Sequence, residues 1–339
     1  MPAWDDVIAR ARGLATHLLR PEQLAALAHA GDVPAFAALL ERDGYRIGAE
    51  GRTPTPADLE RVVRRRAAAR LKLLARWCGA RAAVLAVIFE EEDRRSIETL
   101  VRGAAEGSTA EARLAGLVPT PELPLRALEE LAALASPRAI GALLTAWHHP
   151  LAGPVLSVAG KGPPDLLHLE AGLARLFAER ATRAAHRGDW VLRQHVRTVI
   201  DLENVVTAVL LAEEGEARPV EDLFLPGGER VTPKVFAAAC AATKGQYATR
   251  ILAGAFTDTP YLRVILACEL DAGRLDAALV AARHADLRRS ARLHPLTTAP
   301  ILAFALGIRL EVLSLQRILW GITLGAPEEE RLPATAHLI

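Results

Sequence analysis

The sequence has few aromatic residues, which narrows the class of fold it can encode. Aromatic residues make up 4% of the 339 positions, whereas hydrophobic residues as a whole make up 51%. The apolar content is therefore mostly Ala, Leu and Val, and the alternating patterns that indicate strands are few. Because Ala and Leu are strong helix formers, the composition predicts an all-α fold. The length allows two or three domains.

An excess of charge of either sign is also missing. Forty-one basic and forty acidic residues give a formal net charge of +1, so the overall charge favours neither nucleic acid nor an anionic membrane surface as a partner. Cysteine is scarce, and Cys78, Cys240 and Cys268 lie far apart inside predicted helices. We interpret them as small buried apolar residues rather than as a disulfide pair or metal ligands, which fits a reducing cytoplasm.

Long apolar runs are absent as well. The longest, Ala82–Phe89 and Pro300–Ile308, are shorter than the roughly 20 residues that a membrane-spanning helix needs. The N-terminal residues include early acids and no apolar core, so no secretory signal is predicted. We therefore expect no transmembrane segment, and we expect any membrane attachment to occur through a partner protein.

What the sequence does contain is a series of amphipathic helices separated by Gly and Pro. Pairs of short helices are predicted within residues 21–40, 125–147 and 234–255. Asp58–Phe89 predicts one long helix, or two abutting helices that are broken near Gly79.

Two charge clusters lie in that long segment. Five arginines form the densest basic cluster of the chain, and we interpret them as a solvated helix face rather than a docking surface for an acidic partner. The four acids Glu90–Asp93 follow, where we expect them to begin a helix. Adjacent side chains on a helix point in different directions, so these acids are not expected to converge as a catalytic pair. The arginines are Arg61, Arg64, Arg65, Arg66 and Arg70.

An acid followed three residues later by Asn or Ser recurs three times, with the acids 108 and 110 residues apart. A predicted bend that ends the helix, which we call the elbow, follows each copy. A short segment that ends at a proline, which we call the proline stop, follows two of them. The acid is expected to begin a helix and to stabilise its dipole. The Asn or Ser is expected to hydrogen-bond to a neighbouring helix. The copies are Asp93 with Ser96, Asp201 with Asn204, and Glu311 with Ser314; the elbows are Glu106-Gly107, Glu214-Gly215 and Leu324-Gly325; the stops are Leu117-Val118-Pro119 and Phe224-Leu225-Pro226, the latter followed by Gly227 and Gly228.

The recurring unit has the size of a small domain rather than of a short solenoid repeat. We therefore predict three similar helical domains, over residues 1–124, 125–233 and 234–339, in a pseudo-threefold arrangement. The acids, their Asn or Ser partners and the two glycines are candidates for structural or interface roles, not for catalysis.

The segments Asp201-Leu202-Glu203-Asn204-Val205 and Leu223-Phe224-Leu225-Pro226-Gly227-Gly228 resemble a helix and a turn of the C subunit of the prokaryotic V/A-type ATPase or ATP synthase. That family is related to the d subunit of the eukaryotic vacuolar enzyme. Residues 295–330 are similar to its last repeat, and residues 9–45 are similar to its opening helices. The resemblance covers essentially the whole chain.

The chain departs from the family pattern at several places, one of them Gln316-Arg317, where a basic residue often comes first. Ser96 and Ser314 stand where Asn is usual, and Glu90–Asp93 occupies the place of a common Tyr-Asp pair.

The resemblance implies a funnel-shaped protein of three similar domains, without a catalytic, cofactor or metal site. Such a protein lies on the cytoplasmic face of the membrane proteolipid ring and receives the foot of the central-stalk shaft. It transmits rotation between the shaft, which is coupled to ATP chemistry elsewhere, and the ring, which is coupled to the flow of protons or sodium ions. No nucleic acid is implied as a partner. The ring-facing end is expected to carry exposed apolar side chains, and the funnel mouth is expected to be polar.

Two other functions remain open at this level. One is a helical scaffold that binds soluble proteins in a groove. The other is an enzyme with a pocket between repeats that uses Glu92, Asp93, Asp201 and Glu203, although acids that recur at equivalent positions suit a structural role better. The adjacent His148 and His149 have no third ligand nearby and are interpreted as loop residues, not a metal site.

Overall fold

The computed structural model describes residues 4–48, 52–83, 85–158, 165–214, 220–242, 245–268 and 272–332. Within these ranges there are 17 α-helices and a short 3-10 helix, Gly79–Arg81, and no strand. The all-α prediction is therefore confirmed. In chain order the helices are α1 (Asp5–Ala15), α2 (Pro21–Ala28), α3 (Val33–Arg42), α4 (Pro56–Cys78), α5 (Ala86–Ala105), α6 (Ala110–Leu114), α7 (Leu125–Ala132), α8 (Pro137–Ala146), α9 (Ala152–Val158), α10 (Leu166–Ala185), α11 (Trp190–Glu214), α12 (Pro233–Cys240), α13 (Gly245–Gly254), α14 (Tyr261–Leu266), α15 (Ala272–Leu293), α16 (Ala299–Thr323) and α17 (Glu328–Arg331).

Three pairs of consecutive long helices form the frame: α4 with α5, α10 with α11, and α15 with α16. Sets of short helices connect one pair to the next. The break predicted near Gly79 is confirmed, because α4 ends at Cys78 and Gly79 has a φ of +53°. This left-handed region is open to glycine because glycine has no Cβ.

The starts of the short helices follow from local capping chemistry. Asp32, Ser136 and Thr232 each accept a hydrogen bond from the backbone N–H three residues ahead, at the starts of α3, α8 and α12. Each of these helices also has a proline in its first turn, where the missing N–H has no cost. These helices therefore begin where the sequence alone places them.

Buried apolar side chains form three clusters. The largest joins α1–α4 and α16 to the C-terminal part of α10 and the N-terminal part of α11. A second joins the C-terminal half of α5 to α7–α9 and the start of α10. The third joins the C-terminal half of α11 to α12–α14 and the start of α15. The division into domains 1–124, 125–233 and 234–339 stays a prediction.

The predicted position of the three recurring acids on their helices is wrong. Asp93, Asp201 and Glu311 lie 7, 11 and 12 residues after the first residues of α5, α11 and α16, so they are inside helices and cannot stabilise an N-terminal dipole. The same correction applies to Glu90–Asp93. The helices begin earlier because the apolar stripe continues upstream of each acid, as with the buried Val199 and Ile200 before Asp201.

Residues 221–223 form a turn ahead of the Gly227-Gly228 pair. The elbow at Glu214-Gly215 falls partly outside the described residues.

One described helix, α16, is long and apolar enough to cross a membrane by length and composition, with a mean hydropathy of 1.4. Within its most apolar window 78% of the residues are buried inside the protein. That burial is typical of the core helix of a globular domain, and α16 packs against α15, α4 and α1.

Asp189 joins the turns of two long helix pairs. Its carboxylate accepts hydrogen bonds from the backbone N–H of Thr298 (2.6 Å), from the Thr298 hydroxyl (2.8 Å) and from the backbone N–H of Leu192 (2.9 Å). Both Asp189 and Thr298 are buried. The α10–α11 turn is therefore fixed against the α15–α16 turn.

We expect Asp189→Ala to lower the free energy of unfolding by about 3 kcal/mol, because three buried donors lose a charged acceptor. Asp189→Asn retains one acceptor oxygen and should cost less. The midpoint of urea unfolding measures both. Equal midpoints for wild type and Asp189→Ala would contradict the linking role.

Candidate functional site

The three recurring acids have the same structural role. The Val231 N–H donates to Asp201 (2.9 Å), and the Leu19 N–H donates to Glu311 (2.6 Å). For Asp93 the link to the backbone is indirect, through a hydroxyl group. Thr120 Oγ1 donates to Asp93 (2.5 Å) and accepts from the Leu123 N–H (2.9 Å). Leu19, Leu123 and Val231 each lie two residues before a short helix, α2, α7 and α12 respectively. Each acid thus fixes the entry to a set of short helices.

Around Asp201 the contact is mainly to the backbone. Its carboxylate also accepts hydrogen bonds from the N–H groups of Glu229 and Arg230, at 3.0 to 3.1 Å. Burial raises the pKa of Asp201 above its usual value, although these N–H groups favour the charged form. Three residues further along α11, the side chain of Asn204 donates to the Leu225 carbonyl (2.9 Å) and accepts from the Leu225 N–H (2.8 Å). Asn204 therefore bonds to a turn, not to the neighbouring helix that we expected.

The two glycines of this turn are required for different reasons. A Cβ on Gly228 would lie 2.1 Å from an Asp201 oxygen. Gly227 has a φ of +110°, which side-chain-bearing residues rarely adopt. The structure thus brings Asp201, Asn204, Gly227 and Gly228 into one unit.

Asp93 lies in a more enclosed setting. His149 Nδ1 accepts from the Leu151 N–H (3.2 Å), so the neutral imidazole carries its proton on Nε2. That nitrogen faces the second Asp93 oxygen at 3.7 Å. Burial raises the pKa of Asp93. Ser96 and Ser314 are buried at the positions equivalent to Asn204, and neither forms a comparable pair of hydrogen bonds to a turn in the described part of the chain.

Glu311 joins the end of the chain to its beginning. It forms a buried ion pair with Arg70 and accepts a hydrogen bond from the Tyr45 hydroxyl (2.6 Å), besides the Leu19 N–H. Burial raises the pKa of Tyr45 well above its usual value, and the Glu311 charge adds to this. Arg70 also donates to the carbonyl of His17. The N-terminal helices are therefore held against α16.

The arginine cluster of α4 is not the solvated face that we expected. Arg70 is buried against Glu311, and Arg64 is buried against Glu60 (3.3 Å) and the Leu114 carbonyl (2.9 Å). Arg66 lies over the Tyr45 ring, 4.1 Å from its centre. Arg61 and Arg65 are the exposed members.

The four consecutive acids of α5 reach four different parts of the fold. Glu90 pairs with Arg180 of α10 (2.7 Å), Glu91 with Arg283 of α15 (2.7 Å) and Glu92 with Arg309 of α16 (3.0 Å). Asp93 reaches Thr120, as described above. Adjacent carboxylates do diverge, as the helical spacing indicated, and each satisfies a separate neighbour.

A charged cavity of about 410 Å³ lies next to these pairs, between α5, α10 and α11. Ion pairs connect the helices across this cavity. Burial raises the pKa of Glu98 to about 7, and the negative charges of Glu203 and Glu170 add to the effect. Opposite charges are matched within the cavity, so it offers no free set of charges for a small ionic substrate. The pairs are Arg94 with Glu98 and Glu203, Arg95 with Asp276, and Arg102 with Glu170.

The four acids of the enzyme hypothesis do not form a common site. Asp93 and Asp201 bind different loops, while Glu92 pairs with Arg309 and Glu203 with Arg94. Across the described ranges no group of three His, Cys, Asp or Glu residues is placed to hold a metal ion. Cys78 is buried, Cys240 and Cys268 are half-buried, and none forms a disulfide.

Sequence reasoning missed most of the arginines that balance these acids. The pair Arg94–Glu98 has the four-residue helical spacing of an ion pair and could have been found. The partners Arg283 and Arg309 are about 200 residues from α5 in sequence, and no local pattern indicates them.

We expect Gly228→Ala to lower the free energy of unfolding by about 2–4 kcal/mol, because the added Cβ pushes the Asp201 carboxylate away from its donors. Gly254→Ala is the matched control, since its Cβ would meet nothing within 4 Å. That control should be neutral or slightly stabilising. Urea unfolding distinguishes the two, and equal midpoints would contradict the tight contact.

Glu98 predicts a dependence of stability on pH. Its pKa is raised in the folded chain from 4.5 to about 7, so the folded state binds the proton more tightly. The resulting stabilisation is complete below pH 4.5 and is lost as the pH rises through 7. It amounts to up to about 3 kcal/mol.

In Glu98→Gln the fall in stability across this pH range should be smaller than in wild type. The exposed Glu106→Gln is the control and should follow the wild-type profile. Urea midpoints across this range give the measurement, and a Glu98→Gln profile that overlays the wild type would refute the assignment.

Comparison with known proteins adds the family. A family model described as the ATP synthase (C/AC39) subunit matches residues 7–331. No curated protein matches the chain. Because the family match covers nearly the whole sequence, the chain belongs to the ATP synthase (C/AC39) subunit family.

Proposed function

We propose that this member of the ATP synthase (C/AC39) subunit family is the non-catalytic connector in the rotor of a V/A-type rotary ATPase or ATP synthase. In this role it links the central-stalk shaft to the membrane proteolipid ring and transmits torque for proton or sodium transport. It is peripheral, on the cytoplasmic face of the membrane. The family match over residues 7–331 is the observation that carries the proposal.

The ion pairs of α5 support a mechanical role. They connect this helix to α10, α11, α15 and α16. Removing one member of a buried pair leaves a charge without compensation, at a cost of about 3–5 kcal/mol. Helices joined in this way resist sliding past one another, as torque transmission requires.

Two regions along the long helices differ in character. The charged cavity lies along the C-terminal halves of α5 and α11, around Arg102 and Glu203. Roughly 20 Å away along α11, the turns that start α11 and α16 expose Trp190 (50%), Leu293 (63%) and Leu296 (75%). We assign the region of the charged cavity to the shaft and the apolar end, formed by these turns, to the ring.

Affinity purification of the tagged chain from mild-detergent extracts of its native membranes tests the function. Ring and central-stalk proteins should co-purify with it. Recovery of soluble proteins alone would contradict the rotor role and favour the scaffold hypothesis.

Two variants test the assignment of the ends in the same purification. Arg102→Glu, which breaks the pair with Glu170, should lower the recovery of stalk proteins severalfold and leave the ring bound. Leu293→Ser with Leu296→Ser should do the reverse. Arg126→Glu on the exposed surface of α7 is the control, and it should change neither. If both test variants lose the same partners, the assignment of the ends is wrong.

A further inference from the structure

A groove of about 740 Å³ lies beside the apolar end, between α1, the α1–α2 link, the end of α15 and the start of α16. Side chains such as Leu18 and Phe304 give it an apolar floor. Four arginines also line it, and no Asp or Glu is among the lining residues. The arginines are Arg12, Arg20, Arg288 and Arg292.

These arginines differ from those of the protein interior. All four are exposed, and within the described ranges none forms an ion pair. Arg12 donates to the carbonyls of Ala291 (3.4 Å) and Pro295 (3.2 Å), and Arg20 donates to Gln23 (3.4 Å). In a chain with a net charge of +1, the groove is therefore a local concentration of uncompensated positive charge.

The adjoining turn is apolar and exposed. Leu293 directly follows Arg292, and Leu296 lies three residues further along the chain. Trp190 packs edge-on against His294, with ring centres 4.9 Å apart. Exposed leucines and a tryptophan beside a row of arginines are typical of surfaces that lie in a membrane interface.

We propose that the groove binds the headgroup of an anionic phospholipid, with the leucines of the turn entering the acyl region. Guanidinium groups bind phosphate oxygens through paired, charge-assisted hydrogen bonds. The apolar floor would cover the glycerol and the first methylene groups. The inference rests on the proposed function for its setting, because it places the lipid at the end that we assign to the ring.

An acidic segment of a protein would also pair with the arginines. The lipid is the better fit, because Leu293 and Leu296 lie next to the arginines and need an apolar medium as well as an anion. A phospholipid surface supplies both.

Co-sedimentation of the purified full-length chain with vesicles tests the inference. Vesicles of phosphatidylcholine alone are compared with vesicles that contain a quarter phosphatidylglycerol. Wild type should bind more than about thirtyfold more tightly to the anionic vesicles, and the preference should weaken with added salt.

Arg288→Gln with Arg292→Gln should weaken binding to the anionic vesicles about thirtyfold. Arg126→Gln with Arg138→Gln removes the same charge from the exposed surfaces of α7 and α8 and should leave binding unchanged. Circular dichroism and urea unfolding verify that both double variants are folded.

Equal binding to the two kinds of vesicle, no binding to either, or equal effects of the two double variants would overturn the inference. So would binding of a Glu-rich peptide at the groove without binding of vesicles, since the occupant would then be a protein. Because the purified chain is used without ring or stalk, this outcome is independent of the co-purification that tests the rotor role.

Discussion

A carboxylate buried in an apolar helix bundle needs hydrogen-bond donors or a positive charge, and this need governs how the helices of this protein are joined. Asp201 takes its donors from the backbone that leads into α12, and Glu311 takes one from the backbone that leads into α2. Asp93 reaches the backbone before α7 through Thr120. The position of each acid on a long helix thereby sets where one group of short helices begins.

The same requirement makes α5 the centre of the fold. Its acids and arginines face α10, α11, α15 and α16, and apart from Asp93, which bonds to the Thr120 hydroxyl, they meet groups of opposite charge. Buried ion pairs add little net stability compared with well-packed apolar side chains, but an unmatched charge is costly. An alignment of the helices that separates these pairs is therefore disfavoured. Helices that resist realignment suit the transmission of rotation that we propose.

Features that depend on local spacing could be predicted from the sequence. The all-α class, the break at Gly79 and the recurrence of Asp93, Asp201 and Glu311 all follow from composition, backbone preference or short motifs. Gly227 and Gly228 could be recognised as part of a turn. The sequence could not show that Gly228 makes room for a carboxylate.

Features that depend on distant residues could not be predicted. The sequence alone indicates a surface position for Arg70, because its partner Glu311 is 241 positions away. The error over the helix starts has a different origin. An acid beside an apolar run is the ordinary pattern of a helix start, and only the buried residues upstream, such as Ile200, show that the helix has already begun. An acid that is buried in the middle of a helix can therefore show the same local sequence pattern as an acid at a helix start.

The contact of Glu311 also has a consequence for the whole chain. The short helices whose entry Glu311 fixes are at the N-terminus. The last long helix, which carries Glu311, therefore forms these hydrogen bonds with the first part of the chain. The two ends are thereby fixed to each other through Glu311, Arg70 and Tyr45, and α1–α3 do not form a loosely attached lobe. For the rotor connector that we propose, this closure matters, because a terminal lobe free to move would absorb torque that has to reach the ring.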